Sequence, residues 1–176
     1  MADQPGISYM RTTRQATDVI YTPDDEFEIG GSRVVRESAE DGLTIVAAGI
    51  TLFEALKAAD TLAREGIHAR VIDLYSVKPL DTETLIAAAE QTGRVLTVED
   101  HWPEGGIGEA VFSALAEAGV GVAGKLLAVR HMPQSATPEE ELTDAGIDAA
   151  AIAEAGRALM ARREGQPAMA AAARGN

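Results

Sequence analysis

The fold of this chain is decided by one stretch, VLTVEDHWPEGGIGE, which runs from Val95 to Glu109. An apolar run ends in ionisable residues, turns on Gly105 and Gly106, and enters an Ala-rich periodic segment. This order predicts a buried strand, then a loop, then a helix. In open α/β sheets the loop at the carboxyl end of such a strand is a common place for ligands. The stretch is therefore the first place to look for a site.

Strand followed by helix recurs on both sides of this stretch. Residues 43–48 are apolar almost throughout, as a strand buried in a parallel sheet requires. Four more segments have strand character: residues 33–37, 69–75, 94–98 and 126–130. Asp41-Gly42, between the first two strands, predicts a turn that could close a hairpin. The alternation predicts an α/β fold of three layers, α/β/α, around a mostly parallel sheet of about five strands.

Capping residues place the helices between these strands. Thr51 with Glu54 three residues later predicts a capping box. Asp81 and Asp148 stand where N-caps of two further helices are expected, and Gly93 stands at a helix end.

The chain divides into four parts by pattern. Regular alternation of strand and helix defines the main domain, residues 33–163. Residues 15–32 contain Pro23, an acidic run and a glycine pair, which predict a linker. Residues 1–14, which precede it, would then belong to something other than the main domain. Residues 164–176 carry no core pattern and predict a flexible tail.

Composition excludes several classes of function. The 176 residues suffice for one domain of ordinary size, and 46% of them are hydrophobic. The net charge of −13 disfavours a nucleic-acid partner. There is no cysteine, so disulfides and thiolate chemistry are excluded. No transmembrane run or signal peptide is recognisable, so we expect a cytoplasmic protein with no membrane partner.

The glycines of the opening stretch invite a dinucleotide-binding interpretation, which the spacing disfavours. Val111 stands where the third glycine of that fingerprint would be. Glu99, Asp100, His101 and Glu104 could form a metal site or an acid–base pair. Adjacent residues on a strand point to opposite faces, however, so a structural loop or an interface is the favoured interpretation.

A second candidate lies near the start of the chain, in Arg11-Thr12-Thr13-Arg14. Two cations beside two hydroxyl residues could bind an oxyanion, although a solvated basic turn fits the same residues. The three serines examined as nucleophiles, Ser76, Ser113 and Ser135, lack a nucleophile-elbow context. From residues and spacing alone we expect an α/β domain with no self-contained active site.

Several motifs, taken in order, resemble the C-terminal domain of transketolase, preceded by the last strand of the pyrimidine-binding domain. The matching stretches are residues 6–14, 45–56, 70–73, 77–81, 96–101 and 104–110. The resemblance runs without large gaps from about residue 6 to about residue 160. It implies that residues 1–14 end the pyrimidine-binding domain and that residues 33–163 form the transketolase C-terminal domain.

The resemblance also implies a function for the complete enzyme. Transketolases of the pentose phosphate pathway transfer a two-carbon ketol unit between ketose and aldose phosphates. They use thiamine diphosphate with a divalent metal, Mg or Ca, in a homodimer with active sites between the subunits. The partners implied here are the remaining transketolase domains, a second subunit and the sugar phosphates.

The same resemblance implies that this segment takes little part in the chemistry. The Gly-Asp-Gly metal motif and the cofactor-activating glutamate belong to domains that cannot be placed in this chain. The segment is therefore expected to serve architecture and dimerisation, to bind neither cofactor nor metal, to hold no catalytic residue, and to be inactive alone. Arg14 matches the family arginine that binds the substrate phosphate, whereas Arg11 is assigned no ligand role.

Other interpretations stay open at this point. The parent could be a 1-deoxyxylulose-5-phosphate synthase or the beta subunit of a two-oxoacid dehydrogenase, although the match through residues 11–14 and 78–81 favours transketolase. A stand-alone interaction or regulatory module with a borrowed fold is a third interpretation. As a transketolase part, the chain could be a shortened form, a proteolytic or chain-broken product, or one segment of an assembled enzyme.

Overall fold

Regular structure begins at residue 33 and alternates between strand and helix. The computed structural model describes residues 5–13 and 15–162. The strands are β1 (Arg33–Arg36), β2 (Leu43–Ala47), β3 (Ala69–Asp73), β4 (Arg94–Val98) and β5 (Ala123–Leu127). The helices are α1 (Ile50–Arg64), α2 (Thr82–Thr92), α3 (Ile107–Glu117), α4 (Pro138–Asp144) and α5 (Ala149–Met160). Arg14 and the predicted tail, residues 164–176, lie outside the described residues.

The strands form one sheet in the order β1-β3-β2-β4-β5. β2 pairs in parallel with β3 and β4, and β4 pairs in parallel with β5. β1 is the exception, because it lies antiparallel to β3 at the edge. The predicted α/β fold with a mostly parallel sheet of five strands is confirmed.

The predicted hairpin between the first two strands is wrong. β1 and β2 are separated in the sheet by β3. Asp41 instead closes a local turn, accepting hydrogen bonds from the N–H and hydroxyl of Ser38. The N–H of Gly42 then donates to the carbonyl of His68, which precedes β3. The connection therefore passes the start of β3 and delivers β2 to the centre of the sheet.

Two apolar layers cover the sheet, because successive side chains of a strand point to opposite faces. Leu43, Ile45 and Ala47 of β2 belong to the cluster beneath α1 and α5. Val46, between them, belongs to the cluster beneath α2 and α3. All four side chains are fully buried. The three predicted layers are thus formed, and β2 is buried on both faces.

Helix capping follows the sequence for two helices and departs from it for one. Asp81 and Asp148 cap α2 and α5 by accepting from backbone N–H groups of the first turn. Gly93 ends α2 in the left-handed conformation. The capping box predicted at Thr51 is wrong, because Gly49 is the N-cap of α1 and Thr51 lies inside the helix. A capping box does form at Thr137 of α4, a helix that the sequence analysis did not predict.

Residues 5–13 and 15–32 contain neither helix nor strand. The strand that the resemblance implies within residues 1–14 therefore does not form in residues 5–13, and Ile7, Tyr9 and Met10 are exposed. The division of the chain into domains and linker stays a prediction.

The predicted linker packs on the main domain. The ring of Phe27 makes edge contacts with Tyr21 and with Tyr75. Arg33 lies over the rings of Tyr21 and Phe27, at 5.5 and 5.3 Å from their centroids. These contacts fix the segment beside β1 and β3. No helix in the described part of the chain is long and apolar enough to span a membrane.

Candidate functional site at the carboxyl edge of the sheet

The carboxyl ends of β2, β3, β4 and β5 meet at one edge of the sheet, because these strands are parallel. The neighbours β2 and β4 are followed by helices on opposite faces, α1 and α3. Such a point, where the connections diverge, leaves the crevice in which α/β sheets bind ligands. The loop after β4, which opened the sequence analysis, lies there.

The crevice between β2 and β4 is closed by Thr51. Its side chain is fully buried. The hydroxyl oxygen lies 2.9 Å from the carbonyl oxygen of Ala48 and 3.0 Å from that of Val98. The first turn of α1 is therefore joined to the end of β4 across the position that a ligand would take.

The amino end of α3 is occupied by Glu99. Its carboxylate accepts hydrogen bonds from the N–H groups of Ile107 and Gly108, and the residue is 1% exposed. Burial raises the pKa of Glu99, and the two N–H donors act in the opposite direction. Free N–H groups at a helix start are the usual binding site for phosphate. Because Glu99 satisfies two of them, this glycine-rich turn is not a phosphate cradle.

The four ionisable residues considered as a metal or acid–base site do not converge. Glu99 points inward, whereas Asp100 binds Arg11 on the outside of the loop. His101 Nδ1 lies 2.7 Å from the carbonyl oxygen of Trp102, and Glu104 is exposed. Among residues 5–13 and 15–162, no three His, Asp or Glu side chains are grouped as metal ligands.

The other two histidines lie in exposed pairs. His68 Nε2 is 3.2 Å from Glu40, and His131 Nε2 is 2.7 Å from Asp144. His68 lies in the connection before β3, and His131 lies in the connection after β5.

The oxyanion candidate at residues 11–14 is described in part. Arg11 forms a two-point ion pair with Asp100, at 2.7 and 3.1 Å. That Arg11 has no ligand role stays a prediction. Arg14 is outside the described residues, so its phosphate-binding role stays a prediction.

An open cavity of about 240 Å³ lies beside the carboxyl ends of β2 and β3. Asp18, Tyr21 and Asp73 are among its lining residues, and Asp73 accepts a 2.7 Å hydrogen bond from the hydroxyl of Tyr21. Burial raises the pKa of Asp73, and it also raises the pKa of Tyr21. The pair joins the predicted linker to the sheet. This pair was not predicted, although the aromatic residues Tyr21 and Phe27 in the predicted linker were a signal of packing.

Exposed apolar side chains mark three loops at this edge. Val77 follows β3, Trp102 follows β4 and Met132 follows β5, with exposed fractions of 42%, 46% and 82%. Ile7 and Tyr9 of the N-terminal segment are exposed too. Large apolar groups in neighbouring loops are typical of a surface that contacts another protein segment. The interface interpretation of the opening stretch is consistent with this distribution.

Comparison with known proteins gives a consistent result. A family model described as "Transketolase, C-terminal domain" matches residues 30–152. "Transketolase-like protein 1" of Bos taurus is 51% identical over 148 residues, which are 83% of this chain and 24% of that protein. Transketolase of Homo sapiens is 45% identical over 163 residues, which are 92% of this chain and 26% of that protein.

A solved structure has the same fold. It is described as "Split gene transketolase, inactive beta4 tetramer" and superposes with a TM-score of 0.78 at 37% identity. The match covers 84% of this chain and 48% of that one. The chain spans about a quarter of the length of the curated relatives it matches.

Proposed function

Because the chain belongs to the transketolase family, through its C-terminal domain, we propose that it is the C-terminal part of a thiamine-diphosphate-dependent transketolase. The complete enzyme transfers a two-carbon ketol unit between ketose and aldose phosphates. The observation that carries the proposal is the family match over residues 30–152, together with 45% identity to a transketolase over nearly the whole chain.

The segment serves architecture and not chemistry in this proposal. The crevice at which an α/β sheet would bind a ligand is filled by Thr51, and the amino end of α3 is filled by Glu99. Both positions are buried. A domain whose usual ligand position is packed with its own side chains fits a role as a rigid support for other domains.

The described residues do not fit thiamine diphosphate or its metal. A diphosphate needs free N–H groups or cations, and a divalent metal needs a group of oxygen ligands. The N–H groups of Ile107 and Gly108 are used by Glu99, and residues 5–13 and 15–162 hold no group of metal ligands. We therefore assign the cofactor and its Mg or Ca to the other domains of the enzyme.

One residue of this chain takes part in substrate binding in the proposal. Arg14 stands at the exit of the predicted strand, in the position of the family's phosphate-binding arginine. A guanidinium can hold a phosphate through two parallel charge-assisted hydrogen bonds. Arg14 is thus proposed to bind the phosphate of the sugar.

The remaining transketolase domains and a second subunit are proposed to cover the carboxyl edge of the sheet. The exposed Val77, Trp102 and Met132 support this assignment, as do the exposed apolar residues near the chain start. The structural relative described as a split-gene transketolase is itself an inactive tetramer of one kind of chain. That description supports the need for a partner that carries the cofactor site.

The test compares the chain alone with the complete enzyme. Calorimetry of the chain with thiamine diphosphate and Mg²⁺ is expected to give no binding. The chain joined to or mixed with its cofactor-binding domains is expected to convert xylulose 5-phosphate and ribose 5-phosphate. Stoichiometric cofactor binding by the chain alone, or a complete enzyme inactive on these sugars, would contradict the proposal.

A further inference from the structure

The chains that follow β4 and β5 leave the sheet side by side. The N–H of Val129 donates to the carbonyl of His101 at 3.0 Å, which extends the pairing of the two strands. Trp102 is the next residue after His101, and Met132 lies three residues after Val129, at most about 10 Å of chain. Both residues are exposed. Two large apolar residues from different loops therefore lie at the same corner of the sheet.

The N-terminal segment adds a third apolar residue to this corner. Arg11 donates two hydrogen bonds to the carboxylate of Asp100, at 2.7 and 3.1 Å, and a third to its carbonyl oxygen at 3.2 Å. Met10, the residue before Arg11, is 68% exposed. Because Asp100 is two residues before Trp102, Met10 is held beside the loop that carries the tryptophan. The three residues Met10, Trp102 and Met132 are named the edge patch.

Hydrogen bonds hold both loops of the edge patch in place. Nδ1 of His101 lies 2.7 Å from the carbonyl oxygen of Trp102, and Nε2 of His131 lies 2.7 Å from the carboxylate of Asp144. His131 is the residue before Met132. A surface that is ordered before contact loses less conformational entropy when a partner binds. Tryptophan and methionine are also enriched at the centres of protein interfaces.

The direction of the chain identifies what covers the edge patch. The match to transketolase of Homo sapiens covers 26% of that protein, and the matching family model is the C-terminal domain, so about three quarters of such an enzyme precede this segment. That preceding part enters through residues 5–13, which the pair of Arg11 with Asp100 holds at the patch. A partner tethered by a few residues has an effective concentration on the order of millimolar.

A second copy of the chain fits the edge patch less well. It has no such tether, and it would bring a net charge of −13 against a surface of the same net charge. The charged groups beside the patch are already paired within the chain, Arg11 with Asp100 and His131 with Asp144. They offer no unpaired cation that would offset the repulsion between copies.

We infer that the edge patch is the docking surface for the domain that immediately precedes this segment in the complete enzyme, with Trp102 as the central contact. This inference rests on the proposed function and narrows it, because it assigns the patch to the preceding domain and not to the second subunit. Val77 is not part of the patch, since it follows β3, which β2 separates from β4.

The test measures methionine oxidation by dilute hydrogen peroxide, followed by mass spectrometry, in the chain alone and in the complete enzyme. A thioether is oxidised to the sulfoxide as fast as peroxide reaches it, so Met10 and Met132 should react at least about tenfold more slowly in the complete enzyme. Met160 lies beside Gly42 at the amino edge of the sheet and should react at the same rate in both.

Dilution separates a tethered domain from a second copy. The slow oxidation of Met132 in the complete enzyme should persist when the enzyme is diluted about a hundredfold, because a tethered contact does not depend on concentration. Protection that disappears on dilution would assign the patch to the second subunit and overturn the inference. Protection that appears when the chain alone is concentrated would overturn it in the same way.

The role of Trp102 is tested by Trp102→Ala in the complete enzyme. Loss of a central aromatic contact should raise the oxidation rate of Met132 about three- to tenfold. Ile29→Ala is the matched control, because Ile29 is an apolar residue with 53% exposure that lies outside the patch, and it should leave that rate unchanged. If Met132 stays protected in Trp102→Ala, the assignment of Trp102 as central contact is wrong. The comparison of the unsubstituted proteins depends on neither variant.

The outcomes also distinguish this inference from the proposed function. An unsubstituted complete enzyme with no activity on xylulose 5-phosphate and ribose 5-phosphate overturns the proposed function. An active enzyme in which Met10 and Met132 react as fast as in the chain alone overturns the docking surface alone. Equal slowing of Met160 would overturn the docking surface as well, because it would show general shielding of the domain.

Discussion

A Cβ atom placed on Gly106 would lie 1.9 Å from Oε2 of Glu99. The backbone of Gly106 is extended, with φ at −91°, so its conformation is open to any residue. Close approach of the buried carboxylate is thus the reason for glycine here. The glycine-rich turn admits a side chain of the protein itself, and this explains why it resembles a phosphate cradle in sequence without being one.

Gly106→Ala should destabilise the domain by about 1–3 kcal/mol, the usual cost of overpacking a well-packed interior. The carboxylate cannot move aside without losing its hydrogen bonds to Ile107 and Gly108. Urea unfolding of the chain measures the change.

Gly121→Ala is the matched control, since a Cβ at Gly121 meets nothing within 4 Å. This variant should be unchanged or more stable by up to about 1 kcal/mol. If the two variants unfold at the same urea concentration, the explanation for Gly106 is wrong.

Thr51→Val should cost about 1–2 kcal/mol, because it preserves shape but leaves the carbonyl of Val98 without the hydroxyl. Thr61→Val is its control in the same helix. The hydroxyl of Thr61 donates to the carbonyl of Lys57 and accepts from Arg64, both within α1, and the residue is partly exposed. Thermal unfolding of both variants checks the difference, and equal stabilities would show that the closed crevice does not depend on this bond.

Asp81→Asn should reduce the loss of folding stability that the wild type shows as the pH falls. Burial by itself raises the pKa of Asp81, but hydrogen bonds from Thr84 and Ser32 outweigh it and hold the pKa below its ordinary value of 3.8. A lowered pKa means that the stabilisation is complete above the ordinary value and is lost as the pH falls through the lowered one.

The difference between wild type and Asp81→Asn should therefore be largest near neutral pH, at about 1 kcal/mol, and should shrink below about pH 4. Urea unfolding at about pH 7, 5 and 3 gives the profile. Thr61→Val removes a hydroxyl that bonds to the carbonyl of Lys57 and to Arg64, neither of which titrates in this range, and its effect on stability should show no such profile. If the stability difference between wild type and Asp81→Asn increased at low pH, the pKa of Asp81 would be raised and not lowered.

Arg14→Ala in the complete enzyme should raise the KM for phosphorylated sugars, corresponding to about 1.5–3 kcal/mol of lost charge-assisted hydrogen bonding. Steady-state kinetics with xylulose 5-phosphate and ribose 5-phosphate measures it. An unchanged KM for both sugars would remove Arg14 from the substrate site.

Much of the fold could be predicted from the chain because its causes are local. The apolar run of β2, the N-cap at Asp81 and the left-handed glycine at Gly93 act within one or two turns of chain, and each was identified. The last strand was placed a few residues late, at 126–130, whereas β5 ends at Leu127. Beyond Leu127, the N–H of residue 129 still donates to the carbonyl of His101, which follows β4. The apolar pattern therefore extends past the end of the strand.

The capping-box prediction was wrong because a side chain in α1 could accept a hydrogen bond from a local donor or from a donor distant in sequence. Thr51 and Glu54 have the spacing of a capping box, yet Glu54 accepts instead from the N–H of Ala149 in α5. The sequence spacing is correct for a cap, but packing of α1 against α5 offers the carboxylate another donor. No pattern within one helix contains that information.

By itself, the sequence determined the layered α/β fold and the family, because periodicity and motif order reside in the chain. Only the tertiary structure decided that β1 joins β3, that Glu99 fills the start of α3 and that Asp100 holds Arg11. Each of these joins residues that are brought together by sheet order or by the folding back of a loop. The physical reason is that hydrogen-bonding groups select partners by distance in space, and spacing along the chain fixes that distance only within a turn or a helix.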